Sequence, residues 1–459
     1  MKQLRISGKD YAELVNHLYP GDDNEAIAFA LCGNFRTSSF DGLLVHEVHC
    51  LPHELCKIRE NGHINWPPEF LEPIMLKAEE KGLSILKIHS HPNGYSQFSE
   101  TDDECDLKIF RSVFGWVQES KFHASAVMLP DGQIFGRFID EELNFIAIDK
   151  VIVAGDTIKI WRYNSDCELK DQDRRNLQAF GERTVQLLKS MKVGVIGCSG
   201  TGSIVVEQLV RLGVGTIVMV DPEAVEGVNL NRIPNTFEED AVSRRKKVDV
   251  LKERLTKVGF GTKFITSYDN ICESRAILKE LATCDTFFGC LDAQEPRYVL
   301  NQLSTYYIVP YFDVGVELKA DGNNGISKVY GAIHFIQPKG SSLHSREAIS
   351  MDKVSDESMK RQNPEMYERQ VKEKYIKGAG NVDSPAVISV NMQLSAMTVN
   401  EFLNKIDPFK SVDNDLNAIV RVSISDNFFL FEGDGDSDEY LLKSVGKGDR
   451  KPFIGIMGL

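Results

Sequence analysis

His89-Ser90-His91-Pro92 follows a run rich in Leu and Ile, residues 83–89, that reads as a strand. Strand residues two apart point to one face, so His89 and His91 can share a metal. Seven residues separate His91 from Ser99, and two more precede Asp102. Two imidazoles and a carboxylate are a three-ligand set for catalytic zinc, with the fourth position left for water. Asp102 then has to come from the following turn or helix start.

A second chemical element begins at Lys192. Lys192-Val193-Gly194-Val195-Ile196-Gly197-Cys198-Ser199-Gly200-Thr201-Gly202-Ser203 reads as a strand, a Gly-rich turn and a helix start. Gly197, Gly200 and Gly202 let the backbone approach a phosphate, and the helix N-terminus favours the anion. Asp221 ends the next apolar run, where a carboxylate can bond ribose hydroxyls. The turn departs from strict G-x-G-x-x-G, and these features alone suit an NAD-dependent oxidoreductase equally well.

The elements that must position these groups follow from periodicity. Residues 11–18 have helical spacing, 26–31 and 43–48 read as strands, and 68–81 as a helix. Residues 125–129 and 134–138 flank Pro130-Asp131-Gly132 as a hairpin, and 150–159 read as one more strand. The polar stretch 162–173 is the best linker. Beyond it, a helix (175–189), a buried strand (193–196), a helix (204–212) and another buried strand (216–220) make a βαβ unit and hence a parallel sheet. Residues 338–383 read as a long polar excursion and 386–406 as an apolar helix. The tail holds a strand-like 418–424 and an acidic 432–439. The expected organisation is a first domain over 1–160, a linker over 161–173, a second domain over 174–408 and an extension over 409–459.

At 459 residues the chain has room for two or three domains. Lys plus Arg number 53 against 67 Asp plus Glu, a formal net charge of -14, which argues against general nucleic-acid binding. No apolar run approaches a membrane span and the start lacks a signal-peptide core, so a cytoplasmic protein is expected. The nine Cys lack the spacing of a disulfide scaffold or a zinc knuckle. Eight of the ten His lie at or before His123, which assigns metal chemistry to the first part.

His-x-His-x(7)-Ser-x-x-Asp, present here as His89, His91, Ser99 and Asp102, resembles the JAMM motif of JAB/MPN-type metallopeptidases. The resemblance implies an α/β domain of cytidine-deaminase-like, three-layer architecture. It assigns zinc to His89, His91 and Asp102, oxyanion holding to Ser99, and the general base to a Glu on an early element. Glu25, in Asn24-Glu25-Ala26-Ile27, is similar to that base.

Asp221-Pro222-Glu223-Ala224-Val225-Glu226-Gly227-Val228-Asn229-Leu230-Asn231-Arg232 resembles a signature of the ThiF/MoeB/ubiquitin-activating superfamily, and an oxidoreductase has no use for it. Lys247 looks like that superfamily's phosphate-binding Lys, and Asp292 like its magnesium-associated Asp. Arg175 (or Arg174), in Arg175-Asn176-Leu177-Gln178-Ala179-Phe180-Gly181, is similar to the Arg that reaches a partner subunit's site. The resemblance implies a Rossmann-like adenylation domain with a mostly parallel sheet. It implies Mg-ATP as cofactor, with Asn229, Asn231, Arg232 and Lys247 on its phosphates, and a homodimer.

Fusions of these two types resemble those of bacterial ubiquitin-like conjugation operons, several tied to phage defence. The implied function is adenylation of a ubiquitin-like C-terminal Gly, with a conjugating-enzyme partner, and processing or removal of the modifier by the peptidase. Two alternatives stand beside it: sulfur-carrier activation in a biosynthetic pathway, and a non-enzymatic scaffold. No Cys follows Cys290, which excludes the family's thioester at its usual place in the excursion. The remaining possibilities are an adenylate only, an oxyester on Ser341, Ser342, Ser345, Ser350, Ser355 or Ser358, or a displaced Cys272, Cys284 or Cys290. His344 beside Ser345 is read as incidental.

Overall fold

The computed structural model describes residues 1–163, 167–321, 323, 325–373, 385–456 and 459. The chain forms two compact units, Met1–Ser165 with Thr305–Ile308 and Leu442–Gly455, and Asp166–Ser304 with Val309–Leu441 and Ile456–Leu459.

In the first unit the apolar runs fold into β1 (Lys2–Ser7), α1 (Gly8–Leu18), β2 (Ile27–Arg36), β3 (Asp41–Cys50), β4 (Ile58–Glu60), β5 (His63–Asn65), α2 (Glu72–Lys81), β6 (Ser84–Ser90), α3 (Glu100–Trp116), β7 (Phe122–Met128), β8 (Ile134–Asp140), β9 (Phe145–Ala147), β10 (Lys150–Ala154) and β11 (Ile158–Arg162). Among the described residues they build one mixed sheet in the order β11-β10-β1-β3-β2-β6-β7-β8-β9, with β4 and β5 paired separately. Leu14 and Leu18 of α1 pack on one face, against Leu4, Ile6, Ala28 and Val45. On the other face Ile74 and Met75 of α2 join Phe110 and Val113 of α3 over Ile27, Phe29 and Ile85. The unit is therefore three layers deep.

α1 and α3 start where a Ser hydroxyl satisfies a free N–H group. The Ser7 hydroxyl accepts from the Asp10 N–H at 3.1 Å, and α2 stops at Gly82, whose φ of 53° is left-handed. Two readings change. The single strand expected over 150–159 is the antiparallel pair β10 and β11, because the chain turns at Gly155, where a Cβ would lie 2.8 Å from the Gly8 Cα. The helix expected over 68–81 becomes α-helical only at Glu72, after a 3-10 turn over Pro68–Leu71.

Residues 442–455 complete this unit. Gly448 bridges Asn34 in parallel, and the Asp449 carboxylate accepts from the Arg36 N–H at 3.1 Å and the Tyr307 hydroxyl at 2.7 Å. The buried Arg5 guanidinium donates to the Tyr307 carbonyl at 2.9 Å.

The second unit runs through α4 (Arg174–Ser190), β12 (Lys192–Ile196), α5 (Gly202–Arg211), β13 (Thr216–Val220), α6 (Glu238–Val242), α7 (Lys247–Thr256), β14 (Lys263–Ser267), α8 (Arg275–Ala282), β15 (Thr286–Gly289), α9 (Gln294–Tyr307, its last turn in the first unit), β16 (Tyr311–Ala320), β17 (Ile326–Ile336), α10 (Met351–Gln362), α11 (Pro364–Lys372), α12 (Ile388–Ile406), β18 (Ile419–Ser423), β19 (Phe428–Glu432) and α13 (Glu439–Leu442). Among the described residues the sheet order is β14-β13-β12-β15-β16-β17-β18-β19. The first five strands are parallel and the last three antiparallel, the Rossmann-like, mostly parallel sheet expected. After β12 the chain lays β13 and β14 on one side and β15 on the other. That reversal opens a crevice at the carboxyl ends of β12 and β15.

The sheet does not stop at residue 408: β18 and β19 extend it. The polar excursion is not structureless, since α10 and α11 occupy much of it. Its residues 374–383, and linker residues 164–166, lie outside the described residues. Among those described, no helix is long and apolar enough to cross a membrane.

Gly33 on β2 has no room for a side chain, since a Cβ would lie 2.1 Å from the Gly446 carbonyl oxygen. Gly33→Ala is expected to push residues 446–449 off β2 and cost about 1–3 kcal/mol, the range for overpacking. Hydrogen exchange would report it as faster exchange at the Asp449 and Arg36 amides, with β12 and β15 unchanged.

Candidate functional site

β6 is buried along its whole length and delivers His89 at its end, with His91 just beyond. α3 supplies Asp102 from its first turn, where Ser99 and Asp102 form a capping box. The Asp102 N–H donates to Ser99 Oγ at 3.1 Å, and Asp102 Oδ2 accepts from the Ser99 N–H at 2.8 Å and hydroxyl at 2.7 Å. That leaves Oδ1 for His89 Nε2 at 2.9 Å, while His91 Nε2 lies 3.5 Å from Oδ2. The two Nε2 atoms are 3.1 Å apart, and a ligand atom from each of the three residues lies within 4.8 Å of the others.

The donor set suits zinc on its own chemistry. His91 Nδ1 is 2.7 Å from the Tyr95 carbonyl, which can only accept, so Nδ1 carries the proton and Nε2 the lone pair. Burial lowers the His89 pKa. At His91 burial is outweighed by the bonds to Asp102 and the Tyr95 carbonyl, and the pKa is raised. Burial also opposes ionisation of Asp102, yet the two imidazoles and Ser99 hold its carboxyl far below the usual range.

Glu25 reaches this place through the sheet. β2 pairs antiparallel with β6, Ile27 opposite His89. The Ser90 N–H donates to the Ala26 carbonyl at 3.0 Å, which ties the residue next to Glu25 to the one between the two histidines. Glu25 is 9% exposed. Burial raises its pKa, Asp102 adding to the rise and His91 opposing it. The Ser99 hydroxyl stands beside the three donors, its proton directed to Asp102 Oδ2. His123 is a core histidine: its Nδ1 accepts from the Ile85 N–H at 2.9 Å, and burial lowers its pKa to about 3.

In the second unit Gly197 ends β12 with φ 85°, and a Cβ there would lie 2.3 Å from the Cys290 carbonyl oxygen. Gly202 opens α5, where a Cβ would meet the Gly197 carbonyl oxygen at 1.8 Å. Only glycine fits either position. The buried Asp221 carboxylate holds the turn, accepting from the Cys198 N–H at 2.7 Å and the Glu223 N–H at 2.9 Å, and burial raises its pKa.

A cavity of about 980 Å³ lies over this turn, lined by Ser199, Gly200, Thr201, Arg232, Asp292 and Arg297 among others. Of the sequence-predicted residues, it brings together Gly200, Arg232, Cys290 and Asp292. Gly197, Gly202, Asp221, Asn229, Asn231 and Lys247 do not line it. Asn229 caps a 3-10 turn by accepting from the Glu226 N–H at 3.0 Å, and Asn231 donates to the Ala386 carbonyl at 3.0 Å. The Arg232 guanidinium rests on the Val228 carbonyl at 2.7 Å. Lys247, 2% exposed, pairs with Glu223. Arg175 is exposed on α4, bonded to Gln178 at 2.9 Å, and Gly181 breaks that helix with φ 75°.

Sequence reasoning missed two contributors. Asn391 of α12 covers Gly200, where a Cβ would lie 2.2 Å from its Nδ2. The signal was the polar stripe Asn391, Ser395 and Thr398 at helical spacing on an apolar helix, all buried. Arg297, within the Asp292 segment, forks onto the fully buried Asp313, its Nε 2.9 Å from Oδ1.

Several of the candidate acyl carriers are buried or already hydrogen-bonded. Burial pushes the Cys272 thiol up to about 12 and the Cys290 thiol higher, and Cys284 is buried. The Ser341 hydroxyl donates to Asp434 and the Ser342 hydroxyl to Asp438.

A model of the family described as the ThiF family matches residues 172–428, more than half of the chain. The chain belongs to the ThiF family. It is 25% identical over 200 residues to ubiquitin-like modifier-activating enzyme 5 of Culex quinquefasciatus, covering 40% of this chain and 48% of that protein. It is 31% identical over 144 residues to the adenylyltransferase and sulfurtransferase UBA4 of Meyerozyma guilliermondii, covering 31% and 33%. The chain thus spans half or less of the length of these curated relatives. The solved structure of E. coli MccB is similar with a TM-score of 0.45 and 17% identity, over 92% of this chain and 97% of that one.

Gly197→Ala is expected to drive a Cβ into the Cys290 carbonyl, displace the Gly-rich turn and lower the thermal midpoint read by circular dichroism. A thiol reagent at neutral pH should label the exposed Cys105 and leave the buried Cys198, Cys272 and Cys284 unmodified until unfolding. Mass spectrometry of the labelled protein reads the sites.

Proposed function

We propose that this chain is bifunctional. Its second unit adenylates the C-terminal carboxylate of a ubiquitin-like protein or peptide using Mg-ATP, and its first is a zinc-dependent JAMM-type peptidase acting on the same modifier. The observation that carries the adenylation reading is the convergence of Gly200, Arg232 and Asp292 on one cavity in a ThiF-family chain. The named activities of the modifier-activating relatives support it.

In adenylation a carboxylate attacks the α-phosphorus and pyrophosphate leaves, so negative charge grows on phosphate oxygens. Arg232 and Lys247 are the groups that offset it, Lys247 exchanging Glu223 for phosphate. Magnesium would be held by Asp292, which is exposed at the cavity, and would supply further positive charge. Asp221 keeps the turn in place, and Asn229 and Asn231 order the segment that carries Arg232. Arg175 would complete a neighbour's site in a homodimer. With Ser341 and Ser342 bonded to carboxylates and Cys272 and Cys284 buried, we take the acyl-adenylate as the product handed on, to a conjugating-enzyme partner.

In the first unit His89, His91 and Asp102 would hold zinc, which when bound supplies a Lewis acid for peptide hydrolysis. Glu25 takes a proton from the attacking water and returns it to the leaving nitrogen. Ser99 keeps Asp102 oriented. A second reading, activation of a sulfur carrier, draws on the similarity to a sulfurtransferase. Thiocarboxylate formation on the carrier in the presence of sulfide and ATP would select it.

ATP–pyrophosphate exchange should require the modifier's carboxyl terminus, and Arg232→Ala should lower its rate on the order of 10²-fold or more. Tight NAD binding without ATP binding would sink this half. For the peptidase, Asp102→Ala should lose zinc, whereas Glu25→Gln should keep zinc and lose cleavage. A Glu25→Gln protein that cleaves at the wild-type rate removes the base assignment.

A further inference from the structure

Directly inward from the two histidines lies a charged cluster that the peptidase reading leaves without a role. Lys87 precedes His89 by two residues and shares its face of β6. Asp106 follows Asp102 by four and shares its face of α3. Four helical residues advance about 6 Å and two strand residues about 6.6 Å, so the helix and strand keep step. Asp102 meets the His89 level and Asp106 meets the Lys87 level.

Asp106 is fully buried. Its Oδ1 accepts from Lys87 Nζ at 2.6 Å, and its Oδ2 accepts from Arg137 at 2.7 and 3.2 Å. Register carries the same row across the sheet, Lys87 beside Ser125 and Ser125 opposite Arg137. The Arg137 guanidinium also bonds Asp103 and lies 3.9 Å from the centroid of Phe98 and 3.6 Å from that of Phe145. Phe98 adjoins Ser99, the residue that caps α3, so the cation also props the helix start.

Charge gives this geometry a purpose. Lys87 and Arg137 are two cations packed against a site built for a third. Glu25, Asp102, Asp103 and Asp106 are four carboxylates in the same cluster. With neutral imidazoles the surplus is two negative charges, the complement of a divalent ion. Without Asp106 the Lys87 ammonium would stand unscreened beside the imidazoles and repel a metal.

We propose that Asp106 is a positioning residue of the metal site, which neutralises Lys87 and Arg137 and sets the register of α3 so that Asp102 reaches the two histidines. The proposal rests on the zinc reading of the first unit. Zinc affinity of the full chain, measured by competition with a chromophoric chelator, tests it. Asp106→Asn should weaken zinc binding about 10–100-fold, the effect of losing an outer partner of a metal ligand. Lys87→Met, which deletes the repelling cation, should bind zinc at least as tightly as the wild type. A merely structural lesion would weaken both variants. Equal weakening in the two, or no change in Asp106→Asn, overturns the proposal. If Asp106→Asn fails to fold, Lys87→Met/Asp106→Asn replaces it. Wild-type-like affinity in that pair supports the charge role, and weakening of tenfold or more overturns it. A wild-type chain that binds no zinc overturns the metal reading itself, a result separate from all of these.

Discussion

Covering both faces of a sheet leaves its strand ends as the place where polar chemistry can emerge, and both units are organised around that constraint. β6 is buried at all of its positions and β12 at all but its first. Polar side chains placed mid-strand would need buried partners, as Lys87 does, and each unpaired one would cost about 1–3 kcal/mol. The reactive groups therefore cluster at or just past the carboxyl ends: His89 near the end of β6 and His91 after it, Gly197 after β12, Asp221 after β13, Asp292 after β15. In the second unit the strand order reverses between β12 and β15, and the backbones part there to leave the cavity.

Carboxylates act as the fasteners of both sites. Asp102 spends one oxygen on the cap of α3 and turns the other to His89. Asp221 takes two backbone N–H groups and so fixes the Gly-rich turn. Asp313 holds Arg297 and the Tyr311 hydroxyl at 2.7 Å. In each case the functional geometry is held by bonds that exist in the free protein, which reduces the reorganisation that binding has to drive.

Much of this was legible in the residues. The His89–Asp102 spacing foretold the convergence of three donors because strand period and helix cap both obey short-range rules. The βαβ pattern around Gly197 gave the parallel sheet for the same reason. The excursion misled: its polarity hid α10 and α11, whose stability comes from pairs such as Arg361 with Glu295 at 2.6 Å, made to a helix far away in sequence. The hairpin at Gly155 was missed because 150–159 is apolar on both sides of a single small turn. The roles of Asn229 and Ser99 as local caps were also hidden, since a family signature names the residue but not the bond it makes.

Asn34 and Arg36 bond residues near Asp449, a separation of 413 positions for the Arg36 amide. Such a closure makes the first unit a late-maturing one. On the ribosome its sheet can collapse early, but the far end of β2 that Gly448 pairs with stays open until residue 448 has been made. At about 5–20 residues per second the interval between the emergence of residue 165 and that of residue 442 is on the order of ten seconds to a minute. During that time the incomplete unit presents unfilled apolar surface to its surroundings, a window for chaperone capture that a self-contained N-terminal domain would not have.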